Sequence, residues 1–109
     1  MAEKTIMLVC SAGMSTSMLV QKMKKSAESR GCDYEIFAVA ASEADEQLKK
    51  KGLDVILLGP QVQYMKSQFE QKSEKYHIPV DVINMQDYGT FNGEKVLKDA
   101  EELITKFDN

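Results

Sequence analysis

Cysteine and histidine are scarce in this sequence: two of the first and one of the second in 109 residues. No Cys/His cluster has the ligand spacing of a zinc site, so no metal and no cofactor are expected. Two cysteines with no secretion signal point to reduced thiols in a cytosol, not to a structural disulfide. Positive charge is not in excess either. A formal net charge of −3 and a pI near 5.2 speak against nucleic acid as the main partner. Long apolar runs are missing: no stretch approaches the roughly 20 residues that span a bilayer, so no direct membrane insertion is expected. Met1-Ala2-Glu3-Lys4 leads straight into a short apolar run, which is not the layout of a secretory signal. What is there fits an ordinary globular core, with 43% hydrophobic and 28% charged residues. The length predicts one domain over 1–109, and the two thiols without a secretion signal predict the cytoplasm.

Four short apolar runs recur, each followed by a helical pattern. They are Thr5 to Cys10, Tyr34 to Ala40, Asp54 to Leu58 before Gly59-Pro60, and Val80 to Ile83 after Pro79. Near-continuous apolar runs predict strands buried on both faces, as in a parallel sheet. The spacing predicts a helix over Thr16 to Arg30, with Leu19, Met23 and Ala27 inward and Gly31 as its C-terminal stop. A second runs from a Ser42 cap to Lys51, with acids early, lysines late and a stop at Gly52. A third spans Gln61 to Tyr76, with Val62, Met65, Phe69 and Tyr76 on one face. A fourth spans Glu94 to Phe107, with Val96, Leu97, Ala100, Leu103, Ile104 and Phe107 on one stripe. The alternation of strand and helix predicts an α/β fold, an open parallel sheet with helices on both faces. In such sheets sites form outside the carboxyl ends of the strands. That edge is expected to gather Cys10 to Ser17, Ala40 to Glu43, Gly59 to Gln63 and Asn84 to Gly89.

The first of these segments carries the chemistry. Cys10 leaves the first apolar run and enters Ser11-Ala12-Gly13-Met14-Ser15-Thr16-Ser17, a loop of small residues that opens a helix. Such a loop aims backbone N–H groups inward and adds the positive end of the helix dipole, which together favour an anion. They favour a thiolate for the same reason. A Cys that ends a strand is often a small buried residue; placement at the loop entrance argues for the nucleophile. Ser15, Thr16 and Ser17 are equally readable as helix caps. The loop is neither G-x-x-x-x-G-K-[ST] nor G-x-G-x-x-G. Cysteine phosphatases on a similar fold place Arg six residues after the Cys, where it grips the phosphate. Here that residue is Thr16, and the first cation after Cys10 is Lys22. A loop without its own guanidinium suits a carrier that accepts, holds and passes on a phosphoryl group.

Leu8 to Ser17 resembles the active-site loop of the IIB components of the bacterial phosphotransferase system, lactose/cellobiose (chitobiose) branch. Asp54 to Val62 resembles that branch's third-strand signature, and Tyr88-Gly89 after the fourth strand is a weaker match. The resemblance covers essentially the whole chain. It implies four parallel strands in the order 2-1-3-4, a fold like that of low-molecular-weight tyrosine phosphatases. It implies Cys10 as the phosphorylated nucleophile, with the segment Ser11, Ala12, Gly13, Met14, Ser15, Thr16 and Ser17 holding the phosphate. The donor would be a phosphohistidine on a IIA protein, and the acceptor a disaccharide bound by a membrane IIC protein. The alternatives are a small cysteine-dependent phosphatase, which the missing Arg disfavours, an arsenate-reductase-like enzyme, which the remote Cys32 disfavours, and a non-catalytic anion-binding regulator, which would not need Cys10.

Other residues read as structural. Cys32 follows the far end of the first helix, on the order of 20 Å from Cys10 at 1.5 Å per residue, and is expected to be buried rather than to resolve a disulfide. His77 falls in the turn before the fourth strand, at the opposite edge. Lys22, Lys24 and Lys25, like the acidic stretch 99–102, read as solvated helix faces. Met14 and Met18 stand by the loop, and the pair reads equally as partly buried or as an exposed apolar docking patch for partner proteins. Asp87-Tyr88 resembles the Asp-Pro-Tyr of small tyrosine phosphatases, but lacks its Pro.

Overall fold

A computed structural model describes residues 3–11, 14–50 and 52–108, with only the backbone of Met14, Ser15, Lys50 and Asp108. Four strands form one parallel sheet: β1 (Lys4–Cys10), β2 (Tyr34–Ala40), β3 (Val55–Leu58) and β4 (Val80–Val82). Their order is β2-β1-β3-β4, as the family resemblance implied. The helices are α1 (Met14–Ser29), α2 (Ala44–Lys50), α3 (Lys66–Glu74), α4 (Met85–Gly89) and α5 (Gly93–Asp108).

Alternation along the central strands feeds two cores. Ile6, Leu8, Val55 and Leu57 meet Leu19, Met23, Val96, Leu97 and Ala100, so α1 and α5 cover one face. Met7, Val9, Ile56 and Leu58 meet Ala44, Leu48, Val62 and Phe69, so α2 and α3 cover the other. The expectation of strands buried on both faces holds for β1 and β3, which lie inside the sheet. It fails at the edges: Glu35 of β2 and Asp81 of β4 are exposed. A charge on an edge strand blocks pairing with another chain.

Several boundaries differ from the sequence reading, each for a local reason. Helix α1 begins at Met14 rather than Thr16, so Met14 to Ser17 form a first turn instead of loop. Its end is as expected: Gly31 has φ 71°, Cys32 N–H donates to Ala27 O and Gly31 N–H to Glu28 O, a Schellman stop. Ser42 is not the cap of the second helix. It lies inside a 3₁₀ turn, Ala41–Glu43, where the Glu43 carboxylate accepts from Ala40 N–H at 3.3 Å. That helix's expected last residue, Lys51, lies outside the described residues. The third helix is split. Pro60–Met65 is 3₁₀, broken at Val62 (φ −118°, ψ 21°), whose side chain is anchored in the core. The α-helix proper starts at Lys66 and ends before Tyr76, which is exposed rather than inward. Helix α4 was not expected, since five residues carry no hydrophobic period. Its signal is Asn84, whose Oδ1 accepts from Gln86 N–H (2.9 Å) and Asp87 N–H (3.1 Å). In α5, Phe107 leaves the apolar stripe and meets His77 at a tilt, ring centroids 4.6 Å apart and ring planes at 51°.

Candidate functional site

Strand order reverses between β1 and β3, because β1→β2 runs to one side and β2→β3 crosses back over β1. The crevice at their carboxyl ends is where such sheets bind ligands. Cys10 ends β1 there, in register with Ala40 of β2. On the other flank Gly59 leaves β3, and its N–H donates to Val9 O at 2.8 Å. The chain then turns at Ser11, which is exposed, and re-enters as the first turn of α1. Ala12 and Gly13 lie outside the described residues.

Cys10 is the last residue of the strand rather than the first of the loop, and it is fully buried. Alternation puts it on the side of Ile6 and Leu8, the face that α1 covers. Its Sγ–H donates to Val39 O at 3.6 Å. The backbone donors expected of the loop fall on the helix start. By helix geometry the N–H groups of Met14, Ser15 and Thr16 find no carbonyl partner inside α1 and stand at its positive end. Ser17 follows them in the same turn and is exposed.

Thr16 occupies the place a cysteine phosphatase gives to Arg, and it is fully buried. Its Oγ1 lies 3.1 Å from the Tyr88 hydroxyl, and the Gln61 side-chain N–H donates to that same hydroxyl at 2.7 Å. Three segments of the edge thus meet at one phenol oxygen: α1, the 3₁₀ turn after β3, and α4. Sequence reading grouped these segments at one edge but did not join Gln61 and Tyr88 to Thr16. The available signal was that each is a hydrogen-bonding side chain just past the end of its strand.

The residues read as remote are remote. Cys32 stands two positions before β2 begins, about 25 Å along the strand direction from Cys10 at ~3.3 Å per residue. It is half-buried against the α1–α5 core. His77 is exposed in the turn after α3, at φ 57°.

Fold and site define a small doubly wound α/β protein with a cysteine and a helix N-terminus joined at the switch point of its sheet. A family model described as the phosphotransferase system, lactose/cellobiose-specific IIB subunit, matches residues 5–99. The galactose-specific EIIB component of Lactococcus lactis subsp. cremoris is 52% identical over 107 residues, 95% of this chain and 99% of the relative. The cellobiose-specific EIIB component of Lactococcus lactis subsp. lactis has the same identity and coverage, 52% over 107 residues. The solution structure of the cellobiose-specific phosphotransferase IIB component from Borrelia burgdorferi superposes with a TM-score of 0.76 at 43% identity, covering 94% of this chain and 93% of that one. The chain belongs to the lactose/cellobiose-specific IIB family of the phosphotransferase system. IIB components of this system are phosphotransferases that work with IIA and IIC components. Among the described residues no helix is long and apolar enough to cross a membrane.

Proposed function

We propose that Cys10 is the phosphoryl carrier of this chain. It accepts a phosphoryl group from a phosphohistidine of a IIA protein and gives it to a sugar held by a membrane IIC protein, at the cytoplasmic face. The observation that carries this reading is the junction itself: a strand-end thiol followed within four residues by a helix start whose amides lack internal partners.

In the first step the Cys10 sulfur attacks phosphorus in line. The P–N bond of the donor breaks, a P–S bond forms, and the thiol proton ends on the leaving imidazole. In the second step a sugar hydroxyl attacks, the P–S bond breaks, and the hydroxyl proton returns to sulfur. Both steps pass through a loose, charge-spread phosphoryl group, so positioning and N–H donors dominate. The amides of the segment Ser11, Ala12, Gly13, Met14, Ser15, Thr16 and Ser17 hold its oxygens. Before phosphorus arrives, Sγ has to leave the Val39 carbonyl that it now faces. Thr16 adds no positive charge, so the site holds a phosphoryl group without the guanidinium that a phosphatase uses.

Partner docking has a surface to use. Met18 of α1, Tyr64 of the 3₁₀ turn and Met85 of α4 are 54%, 78% and 67% exposed, on three segments that follow strand ends. Apolar groups around a reactive centre suit protein partners that must meet it in turn. The sugar is of the cellobiose, chitobiose or lactose type. Relatives of equal identity named for galactose and for cellobiose support a sugar choice made mainly by IIC.

The test is intact mass after incubation with a phosphohistidine IIA donor. Wild type gains one phosphoryl group and Cys10→Ser gains none, while far-UV circular dichroism is the same for both. A serine variant that accepts phosphate at the wild-type rate would remove Cys10 from the mechanism.

A further inference from the structure

We infer that Tyr88 is a positioning residue for phosphoryl transfer, its hydroxyl clamping the first turn of α1 against the Cys10 edge. This rests on the carrier reading above. The phenol oxygen is the one atom on which Thr16 and Gln61 converge, at 3.1 and 2.7 Å. A side-chain amide N–H can only donate, so Gln61 fills one lone pair of Tyr88. Thr16 is the third residue of α1, in the turn whose amides form the cradle. Holding its side chain sets where those amides point.

The hydroxyl is not needed to hold α4 in place. That helix is capped by Asn84, and its exit is closed by Thr90 N–H to Gln86 O and Asn92 N–H to Asp87 O. The Tyr88 ring packs on the α1–α5 core, so a phenylalanine keeps that contact. The ring thus serves packing and the hydroxyl serves the cradle. Gln61 in turn depends on Gly59: a Cβ there would run into Gln61 Oε1 and sit 3.4 Å from Val9 O. The side-chain-free Gly59 leaves room for the Gln61 amide to lie across the crevice onto Tyr88. The clamp joins neutral groups only, so it orders the turn without adding a charge that would hold the phosphoryl group too tightly to pass on.

The experiment uses the full chain, a phosphohistidine IIA donor, and the variants Tyr88→Phe, Thr16→Val, Thr16→Ser and Gly59→Ala. Melting curves are recorded for each. Displacement of a reacting centre by about 1 Å costs up to about 100-fold in rate. Tyr88→Phe and Thr16→Val are expected to slow acceptance by about 10- to 100-fold each. The double variant should be no slower than the slower single one, because both break the same contact. Thr16→Ser keeps the hydroxyl and should recover most of the rate that Thr16→Val loses. The phosphorus NMR resonance of the phosphocysteine should move in Tyr88→Phe and Thr16→Val and stay put in Thr16→Ser. A merely structural role would lower melting and leave that resonance unmoved. Gly59→Ala should reproduce the shift with the phenol intact. Tyr88→Phe at wild-type rate with an unmoved resonance overturns the clamp, and so do additive losses in the double variant. Should Tyr88→Phe not fold, the Thr16 pair and Gly59→Ala decide alone. Failure of wild type itself to take a phosphoryl group overturns the carrier reading, and the clamp with it.

Discussion

The two ends of the sheet are built from different materials. At the amino ends of the strands, Arg30 Nη2 and the Tyr34 hydroxyl share the Glu101 carboxylate at 2.9 and 2.5 Å, tying α1, β2 and α5 together. Nearby, Asp54 accepts from Thr5 N–H at 2.7 Å. At the carboxyl ends, the corresponding cross-ties join Thr16, Tyr88 and Gln61, all neutral. On the proposed carrier role, a fixed cation beside Cys10 would trap an arriving dianion. At the far end charge has no such cost, and there it closes the helix–strand junctions. Each end also has one thiol, which makes the contrast testable residue by residue.

The largest expected effect separates those thiols. Cys10→Ser should lose phosphoryl acceptance completely, and Cys32→Ser should keep it at the wild-type rate. Cys32 packs against the α1–α5 core, and its Sγ has a long contact to Arg30 O at 4.0 Å and a hydrogen bond with the Tyr34 phenol. Its replacement by a similar volume disturbs little. Intact mass after incubation with donor reads both outcomes at once. Equal loss in the two variants would mean that the thiols communicate, and the division between the ends would fall.

A second contrast concerns glycines at each end. Gly93 opens α5 where it crosses α1, and a Cβ there would lie 2.5 Å from Lys22 C and 2.6 Å from Met23 N. Backbone atoms cannot step aside as a side-chain tip can, so Gly93→Ala forces the two helices apart. The cost is about 1–3 kcal/mol, the range for overpacking. Gly31 has open space around it but φ 71°, so Gly31→Ala costs only the left-handed backbone, about 1 kcal/mol. Urea melts give both values. Gly93→Ala should be the worse, and it should also slow phosphoryl acceptance, because α1 carries the amides proposed to hold the phosphoryl group. A reversed order would show that the α1–α5 crossing adjusts freely.

How much of this was legible in the sequence depended on range. The apolar runs marked all four strands to within about a residue, because each run is short and buried and carries its own boundary. Gly31 announced the stop of α1, because a positive φ is a local demand met by a glycine. The site edge followed from topology, since parallel strands send their exits to one side. What escaped were features made by side chains meeting across the fold. Thr16 and Tyr88 are 72 positions apart, and nothing in either neighbourhood requires the other. Helix α4 escaped because its cap at Asn84 resembles any turn, and five residues are too few for a period. The 3₁₀ turn after Pro60 escaped because Val62 keeps its inward place while its backbone leaves the helix.

The smallest expected effect tests the charged end by pH. Burial first, and then the hydrogen bond to Glu101 and one to Cys32, hold the Tyr34 phenol well above its ordinary value of 10.0. The protonated phenol is the form that donates to Glu101, so folding favours the proton. Its contribution is therefore complete below the unfolded value, about pH 10, and is lost as pH rises toward the raised folded value. The slope from this one group cannot exceed about 1.4 kcal/mol per pH unit, and partial exposure of the pair reduces its total. Tyr34→Phe removes the donor and keeps the ring. It should cost about 1.5 kcal/mol at pH 7, the lower end of the range for a hydrogen bond to a charged group. Above pH 10 its stability should fall less steeply than that of wild type, until the two curves converge. Lysines titrate in the same window in both proteins, so the difference between the two urea-melt curves isolates the phenol. Phosphoryl acceptance at pH 7 should be the same for both, because Tyr34 stands at the opposite end of the sheet from Cys10. Parallel stability curves above pH 10 would show that the phenol contributes no proton-linked stability. A loss of acceptance with stability intact would show that the two ends are coupled through β2.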